Sequence, residues 1–318
     1  MTLPPAWVPD LAAAFERLGV HAERDAPMGA RTTYRVGGAA ALLATVESLE
    51  EMEALASGLA EFGEAPVMVL GLGSNMLVSD AGFPGVVVQL GQGLNYQRAN
   101  GSRVGLGGAS PLPVASRKVS AMGRSGFEWA VGVPGSVGGA VRMNAGGHGS
   151  EMGESLIEAS VFSLTLRSIS RRSSESLDLA YRHSNIGGAD VVVEAVLELA
   201  DGDPAASKAR ISEIVSWRRE HQPGGQNAGS VFVNPPGDHA ARLVEACGLK
   251  GHRLGGAEVS SKHANFIQAD PDAPARDVIA LMALVRNRVA EQYGVRLHTE
   301  IRLVGFGDDF GLPAEEGR

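Results

Sequence analysis

Residues 127–149, FEWAVGVPGSVGGAVRMNAGGHG, carry seven glycines in 23 positions. Each glycine inside a helix costs about 1 kcal/mol relative to alanine, so the stretch cannot run as one long regular element. It reads instead as a surface of bare backbone that something else approaches closely. Glycine makes up 42 of 318 residues, without a collagen-like period and beside 44% hydrophobic residues, so the excess belongs to tight backbone in a globular chain. At roughly 150 residues per domain, about two domains are expected.

Charge and cysteine content exclude several function classes. Lys and Arg number 28 against 36 Asp and Glu, a net charge of −8, which opposes general binding to nucleic acid. The single cysteine, Cys247, has no partner for an internal disulfide or a thiolate metal site. The eight histidines show no H-E-x-x-H or similar ligand spacing, so no catalytic metal is expected. No leader-like N-terminus and no apolar run of about 18 residues is found, and a cytoplasmic protein without membrane contact is expected.

The element pattern is mixed. Leu49, Met52, Leu55, Leu59 and Phe62 form a helical stripe opened by a Ser48/Glu51 capping box and closed at Gly63. Apolar runs at 67–70 and 86–90 read as strands around the turn GLGSN. Val191 to Leu199 alternate as a strand, and Asp203 with Pro204 starts a helix, placing a domain boundary near 200–205. Val278, Leu281, Met282, Val285 and Val289 mark a last long helix, followed by a strand with Leu297, Ile301 and Leu303 on one face and His298, Glu300 and Arg302 on the other. The tail 307–318 is polar and acidic.

Five segments hold residue types suited to chemistry. Gly71, Gly73, Ser74 and Asn75 follow a strand, where amides and a hydroxyl can wrap a phosphate; a plain hairpin turn is the competing reading. Gly132, Pro134, Gly135, Ser136, Gly138 and Gly139 offer a second backbone surface; for any one of these glycines alone tight packing is the better reading, and for the whole run ligand binding is. In YRHSN, Arg182 supplies a planar fork for a carboxylate or phosphate. In RREHQPGGQNAGSVFVNP, Arg218 precedes a loop with Ser230 and Asn234. Ser230 lacks a G-x-S-x-G elbow, which disfavours a hydrolase nucleophile and leaves a proton donor. In KHANFI, His263 and Asn265 precede an apolar strand.

The ordered set GLGSNMLVSDAGFPG, GVPGSVGGAVRMNAGGHG, YRHSN, RREHQPGGQNAGSVFVNP, KHANFI and TEIRLVG resembles the UDP-N-acetylenolpyruvoylglucosamine reductase family, over about residues 33–306. The resemblance implies an α+β fold: a two-part FAD-binding region of the vanillyl-alcohol-oxidase/p-cresol-methylhydroxylase type over 1–203, then a smaller C-terminal α/β substrate domain over 204–306. It implies FAD and NADPH as cofactors and a UDP-sugar as substrate, in peptidoglycan precursor synthesis, with a monomeric chain. It places Arg182, Ser230 and Glu300 at catalytic positions. Hydride would pass from flavin N5 to the enolpyruvyl methylene carbon, and a proton from Ser230 to the neighbouring carbon. The glycine-loop residues, with Arg218 and Arg302, would hold the cofactor, and Asn234, His263 and Asn265 the substrate. His221 and Val233 stand where lysines are common, and the short span from YRHSN to the next strand implies the subgroup lacking a tyrosine-bearing flap. A flavin oxidase of the same superfamily and a non-catalytic nucleotide sensor are the alternatives; the first is opposed by the lack of an R-x-x-G-H tethering motif.

Overall fold

The helix expected from Ser48 forms over Leu49–Glu61, and Ser48 Oγ accepts from the Glu51 amide at 3.2 Å. The Glu51 carboxylate returns to the amide of Glu47 at 2.8 Å rather than to Ser48, so the box closes one residue early. These observations come from a computed structural model that describes residues 5–63 and 65–307; the polar tail beyond Gly307 lies outside the described residues.

Two sheets organise the N-terminal half. A four-stranded sheet runs in the order His21–Pro27, Ala39–Val46, Phe83–Leu90, Val67–Leu70. Its last three strands are parallel, and Leu42, Val86 and Val88 pack against the Leu49–Glu61 helix through Met52 and Leu55. The second sheet is antiparallel, in the order Ser168–Ser173, Leu156–Ser163, Asp190–Glu198, Arg103–Gly107, Gln97–Asn100. The strict alternation expected over 191–199 breaks inside it. Ser160 pairs with Glu194 while Val161 pairs with Val192, so Val193 is an extra, bulged residue that reverses the facing of the strand. Val191 and Val193 therefore enter the core shared with the first sheet. Val192, Ala195 and Leu197 enter the other core, beneath the helix Leu112–Ala121.

The helix expected at Asp203 runs from Pro204 to His221, with the Asp203 carboxylate accepting from Ala205 N at 3.0 Å and Ala206 N at 3.3 Å. Its Ile211 and Ile214 pack on Val131, and Ser207 Oγ donates to Glu128 at 2.5 Å. A division at 203/204 thus cuts through a packed face, and the C-terminal core begins only at Ala228. That core sets the helix Ala275–Tyr293 against a small sheet of Arg253–Leu254, Ala257–Val259 and Ile267–Ala269. It also takes in Tyr34, Val36 and Leu77 from the N-terminal half.

The segment expected as one strand over 297–303 is divided. Thr299 bridges to Phe232 on one side; only Arg302–Val304 is regular, and it pairs in parallel with Met76–Val78. The chain here crosses from one sheet to another. Leu297 and Ile301 remain buried in the C-terminal core, while Glu300 and Arg302 face a common cavity. Asp80 ties the halves together from outside the helix it caps: its oxygens accept from Ala275 N at 2.7 Å and Arg276 N at 3.0 Å. Replacing Asp80 by alanine is expected to lower unfolding free energy in urea by about 1–2 kcal/mol; unchanged stability would deny this cap a role.

Candidate active site

The strand Val67–Leu70 ends at Gly71, and the chain does not turn back as a hairpin, because Met76–Val78 joins a different sheet. Gly73 adopts φ +60°, and a Cβ there would run into the carbonyl of Arg31, so this bend demands glycine. Gln89 Nε2 donates to Gly71 O at 3.1 Å, and Ser74 Oγ donates to Pro134 O at 3.1 Å, joining the first glycine loop to the second. Between these loops and the C-terminal unit lies a cavity of about 720 Å³, within the usual range for cofactor and ligand sites. Among the described residues, the amides of Leu72, Gly73 and Ser74 make no hydrogen bond outside the helices and strands, and all three residues line the cavity.

Arg182, Ser230 and Glu300 line this one cavity. Arg182 takes a left-handed backbone, φ 55°, in a turn closed by hydrogen bonds between Ala180 and His183 at 3.2 and 3.0 Å. Asn144 fixes the turn by donating to Ala180 O at 3.0 Å. The guanidinium donates through Nε to Glu300 Oε1 at 2.7 Å and through Nη2 to Gly146 O at 3.2 Å. Its Nη1 has no hydrogen-bond partner among the described residues, so one arm of the fork stays available to a ligand anion. Burial raises the Glu300 carboxyl above the ordinary carboxylate range, and the Arg182 charge pulls the other way without cancelling it.

Ser230 is held by backbone on both sides. Val231 N donates to Asn265 O at 2.8 Å, and Glu300 N donates to Val231 O at 2.9 Å, which places the serine segment beside Glu300. The Ser230 hydroxyl has no hydrogen-bond partner among the described residues, which leaves its proton free for a ligand.

The remaining expected residues divide. Gly71, Gly73, Ser74, Asn75, Gly132, Pro134, Gly135, Ser136, Gly139, Arg218 and Arg302 line the cavity. Asn75 also works as a brace, since Nδ2 donates to Glu300 O at 3.1 Å. Gly138 lines a smaller adjoining cavity instead; its N–H donates to Gly108 O at 2.9 Å, and a Cβ would meet Val192 O at 3.0 Å. The three residues expected at the substrate lie outside the cavity. Asn234 Oδ1 accepts from Ala240 N at 3.0 Å at the start of the helix Ala240–Ala246. His263 packs edge-on against Phe266, ring centres 4.7 Å apart. Asn265 is buried, and its side chain clamps Phe232 by donating to its carbonyl at 2.8 Å and accepting from its amide at 3.1 Å.

Sequence reasoning missed Thr33, Arg142, His148 and Trp217 as cavity residues. Trp217 lies edge-to-face with His148, centres 5.2 Å apart, and stacks on His221 at 4.6 Å. Burial, with Arg218 and Arg210 adding to it, holds the His148 imidazole below its ordinary value.

Residues 40–166 match a family described as an FAD binding domain, and residues 221–304 match the UDP-N-acetylenolpyruvoylglucosamine reductase, C-terminal domain. UDP-N-acetylenolpyruvoylglucosamine reductase of Bacillus velezensis is 39% identical over 88% of this chain and 92% of its own length. The chain belongs to the UDP-N-acetylenolpyruvoylglucosamine reductase family. The enzyme of that name from an Anaeromyxobacter species is 42% identical over 89% of the chain and 88% of its own. The crystal structure of the Thermus caldophilus reductase superposes with a TM-score of 0.78 at 34% identity, covering 90% of this chain and 99% of that one. As a member of the reductase family, this chain is an FAD-dependent oxidoreductase with the two-part α+β architecture expected above.

The residues present fit FAD. Thr33 Oγ1 is buried without a partner on the cavity wall, the glycine loops present unspent amides, and Arg142, Arg218 and Arg302 add positive charge. Among the described residues, no group of three or more His, Cys, Asp or Glu side chains is placed to hold a metal, and no helix is long and apolar enough to cross a membrane.

Proposed function

We propose that this chain reduces UDP-N-acetylglucosamine enolpyruvate to UDP-N-acetylmuramate, with NADPH as electron donor, in peptidoglycan precursor synthesis. The observation that carries this reading is the Arg182–Glu300 pair sharing a cavity with an unpartnered Ser230 hydroxyl. Bound between the glycine loops, FAD supplies the hydride that converts the enolpyruvyl methylene to a methyl group. What remains for the protein is to stabilise charge and give a proton.

Adding hydride to an enol ether pushes electrons toward the neighbouring carboxylate. Arg182, fixed by Glu300 and Gly146 with Nη1 open, is suited to receive that carboxylate, and a preorganised cation in a water-poor site favours the developing charge. Burial raises the Glu300 carboxyl, and in its protonated form it would donate a hydrogen bond to the same group and avoid placing a second anion beside it. Ser230 then gives its proton to the carbon bearing the ether oxygen, which completes the lactyl product. The division of labour sets FAD on the N-terminal half through Gly71, Gly73, Ser74, Asn75, Gly132, Pro134, Gly135, Ser136 and Gly139, with Arg218 and Arg302 reaching the same cavity from beyond residue 203 and the C-terminal unit closing the substrate side. At the position of one expected lysine, His221 stacks on Trp217.

An anaerobic absorption spectrum tests the reading. Purified protein is expected to show flavin bands that NADPH bleaches and the enolpyruvyl substrate restores. No flavin band, or a reduced flavin that the enolpyruvyl substrate leaves bleached, would overturn it.

A further inference from the structure

Trp217 has no part in the chemistry proposed above, yet it lines the larger cavity and is 46% exposed. A large apolar ring left half open at the edge of a cavity calls for a partner. The indole belongs to the last turn of the helix Pro204–His221, and that turn is pinned. Three successive carbonyls there are taken: Trp217 O by His221 Nδ1 at 2.8 Å, Arg218 O by the Gln222 amide at 2.8 Å, and Arg219 O by Lys262 Nζ at 2.7 Å. His221 also lays its ring on the indole, 11° from parallel with centres 4.6 Å apart. From the second glycine loop, His148 meets the indole at 89°, centres 5.2 Å apart. His148 holds a left-handed backbone, φ 55°, and a Cβ on Gly132 would strike its imidazole, so glycine at that position is what seats the ring. Three rings braced from two segments are ordered before any ligand arrives, which lowers the cost of binding one.

We propose that Trp217, backed by His221 and His148, is a stacking platform for the planar heteroaromatic ring of the nucleotide that reacts in this cavity. The inference rests on the function proposed above and names the side chain that grips its nucleotide. The Arg182 and Glu300 side chains, 24% and 13% exposed, mark the inner wall, where the flavin ring has to react. Trp217 stands on the solvent side, where a second ligand enters and leaves. Every nucleotide base has a π face, so an indole accepts such rings without a dedicated set of hydrogen bonds. NADPH and a UDP-sugar both carry a planar ring on a charged chain; the ring chemistry is common to them, and separate titrations distinguish the two sources.

The test titrates the FAD-loaded protein and its Trp217→Ala and Trp217→Phe variants with NADP+, with UDP-N-acetylglucosamine and with pyrophosphate, which has no ring. Equilibrium dialysis reads the bound ligand. Trp217→Ala is expected to raise the Kd for the stacking nucleotide about 5- to 100-fold, with phenylalanine recovering most of the loss and pyrophosphate unaffected. In turnover, KM for that nucleotide is expected to rise by more than kcat falls. A loss confined to NADP+ assigns the platform to the nicotinamide nucleotide, and one confined to UDP-N-acetylglucosamine assigns it to the uracil ring. Losses for both mean that the two use it in turn. Fluorescence supplies a reading from the unaltered protein, because Trp217 alone of the three tryptophans lines the cavity: the bound nucleotide is expected to quench the indole, and Trp217→Phe to lose that quench. An unchanged Kd for both nucleotides overturns the proposal. So does an equal loss for pyrophosphate, which would indicate displaced charge, or release of FAD from Trp217→Ala, which would give the ring to the flavin. A parent protein that binds neither nucleotide would remove the proposed function itself.

Discussion

Replacing Ser230 by alanine is expected to leave the half-reaction with NADPH within about twofold of the parent rate, while the half-reaction with the enolpyruvyl substrate slows about 10²- to 10⁴-fold, the usual worth of a positioned proton donor. The separation follows from geometry. Among the described residues, the serine hydroxyl makes no contact on which the fold depends, whereas its backbone neighbours are held at 2.8 Å by Asn265 O and at 2.9 Å by the Glu300 amide. Removing one oxygen therefore deletes the donor without moving the segment. Stopped-flow traces of the two half-reactions, recorded without oxygen, read the difference directly. Cysteine at this position keeps a donor and is expected to fall between parent and alanine. Equal slowing of both half-reactions would mean that Ser230 serves cofactor placement, and no slowing of the second would remove it as the proton source.

The elements most legible in the sequence were those whose signals are local. The Ser48 and Asp203 caps, the apolar stripe of the last long helix and the strand before GLGSN each depend on a few adjacent residues, and each forms. Features set by distant partners were misplaced. The alternation at 191–199 fails because a bulge at Val193 is fixed by how the neighbouring strand aligns. The helix Pro204–His221 belongs with Val131 because its buried face is completed by a residue 80 positions away. The site shows the same division. Motif order placed Arg182, Ser230 and Glu300 correctly around one cavity, since their spacing is carried by whole segments. Asn234, His263 and Asn265 lie in equally recognisable motifs, and outside the cavity their side chains contact the helix start at Ala240, Phe266 and Phe232. A conspicuous polar residue can serve the backbone that positions a site rather than the site itself. Arg142 went unnoticed for the opposite reason: it sits inside the glycine run, where attention falls on absent side chains.

The second large effect expected is at Arg182. Its replacement by methionine removes the fixed charge facing the substrate carboxylate and is expected to slow the second half-reaction about 10²- to 10³-fold. A pH profile then distinguishes this role from simple packing. The Glu300 carboxyl is raised by burial and held partly down by Arg182. If its protonated form is the active one, the second half-reaction is fast below that raised pKa and falls as pH climbs through it. Taking away the Arg182 charge leaves burial unopposed, so the carboxyl holds its proton to higher pH and the falling limb moves in the alkaline direction. Glu300→Gln, which keeps the shape and cannot ionise, is expected to abolish the limb and leave a flat profile. The signs are opposite to those of an ionised Glu300, for which activity would rise with pH and the amide would be inactive throughout. A limb that stays in place in Arg182→Met, or a parent-like profile in Glu300→Gln, would show that proton occupancy of Glu300 does not govern the reaction.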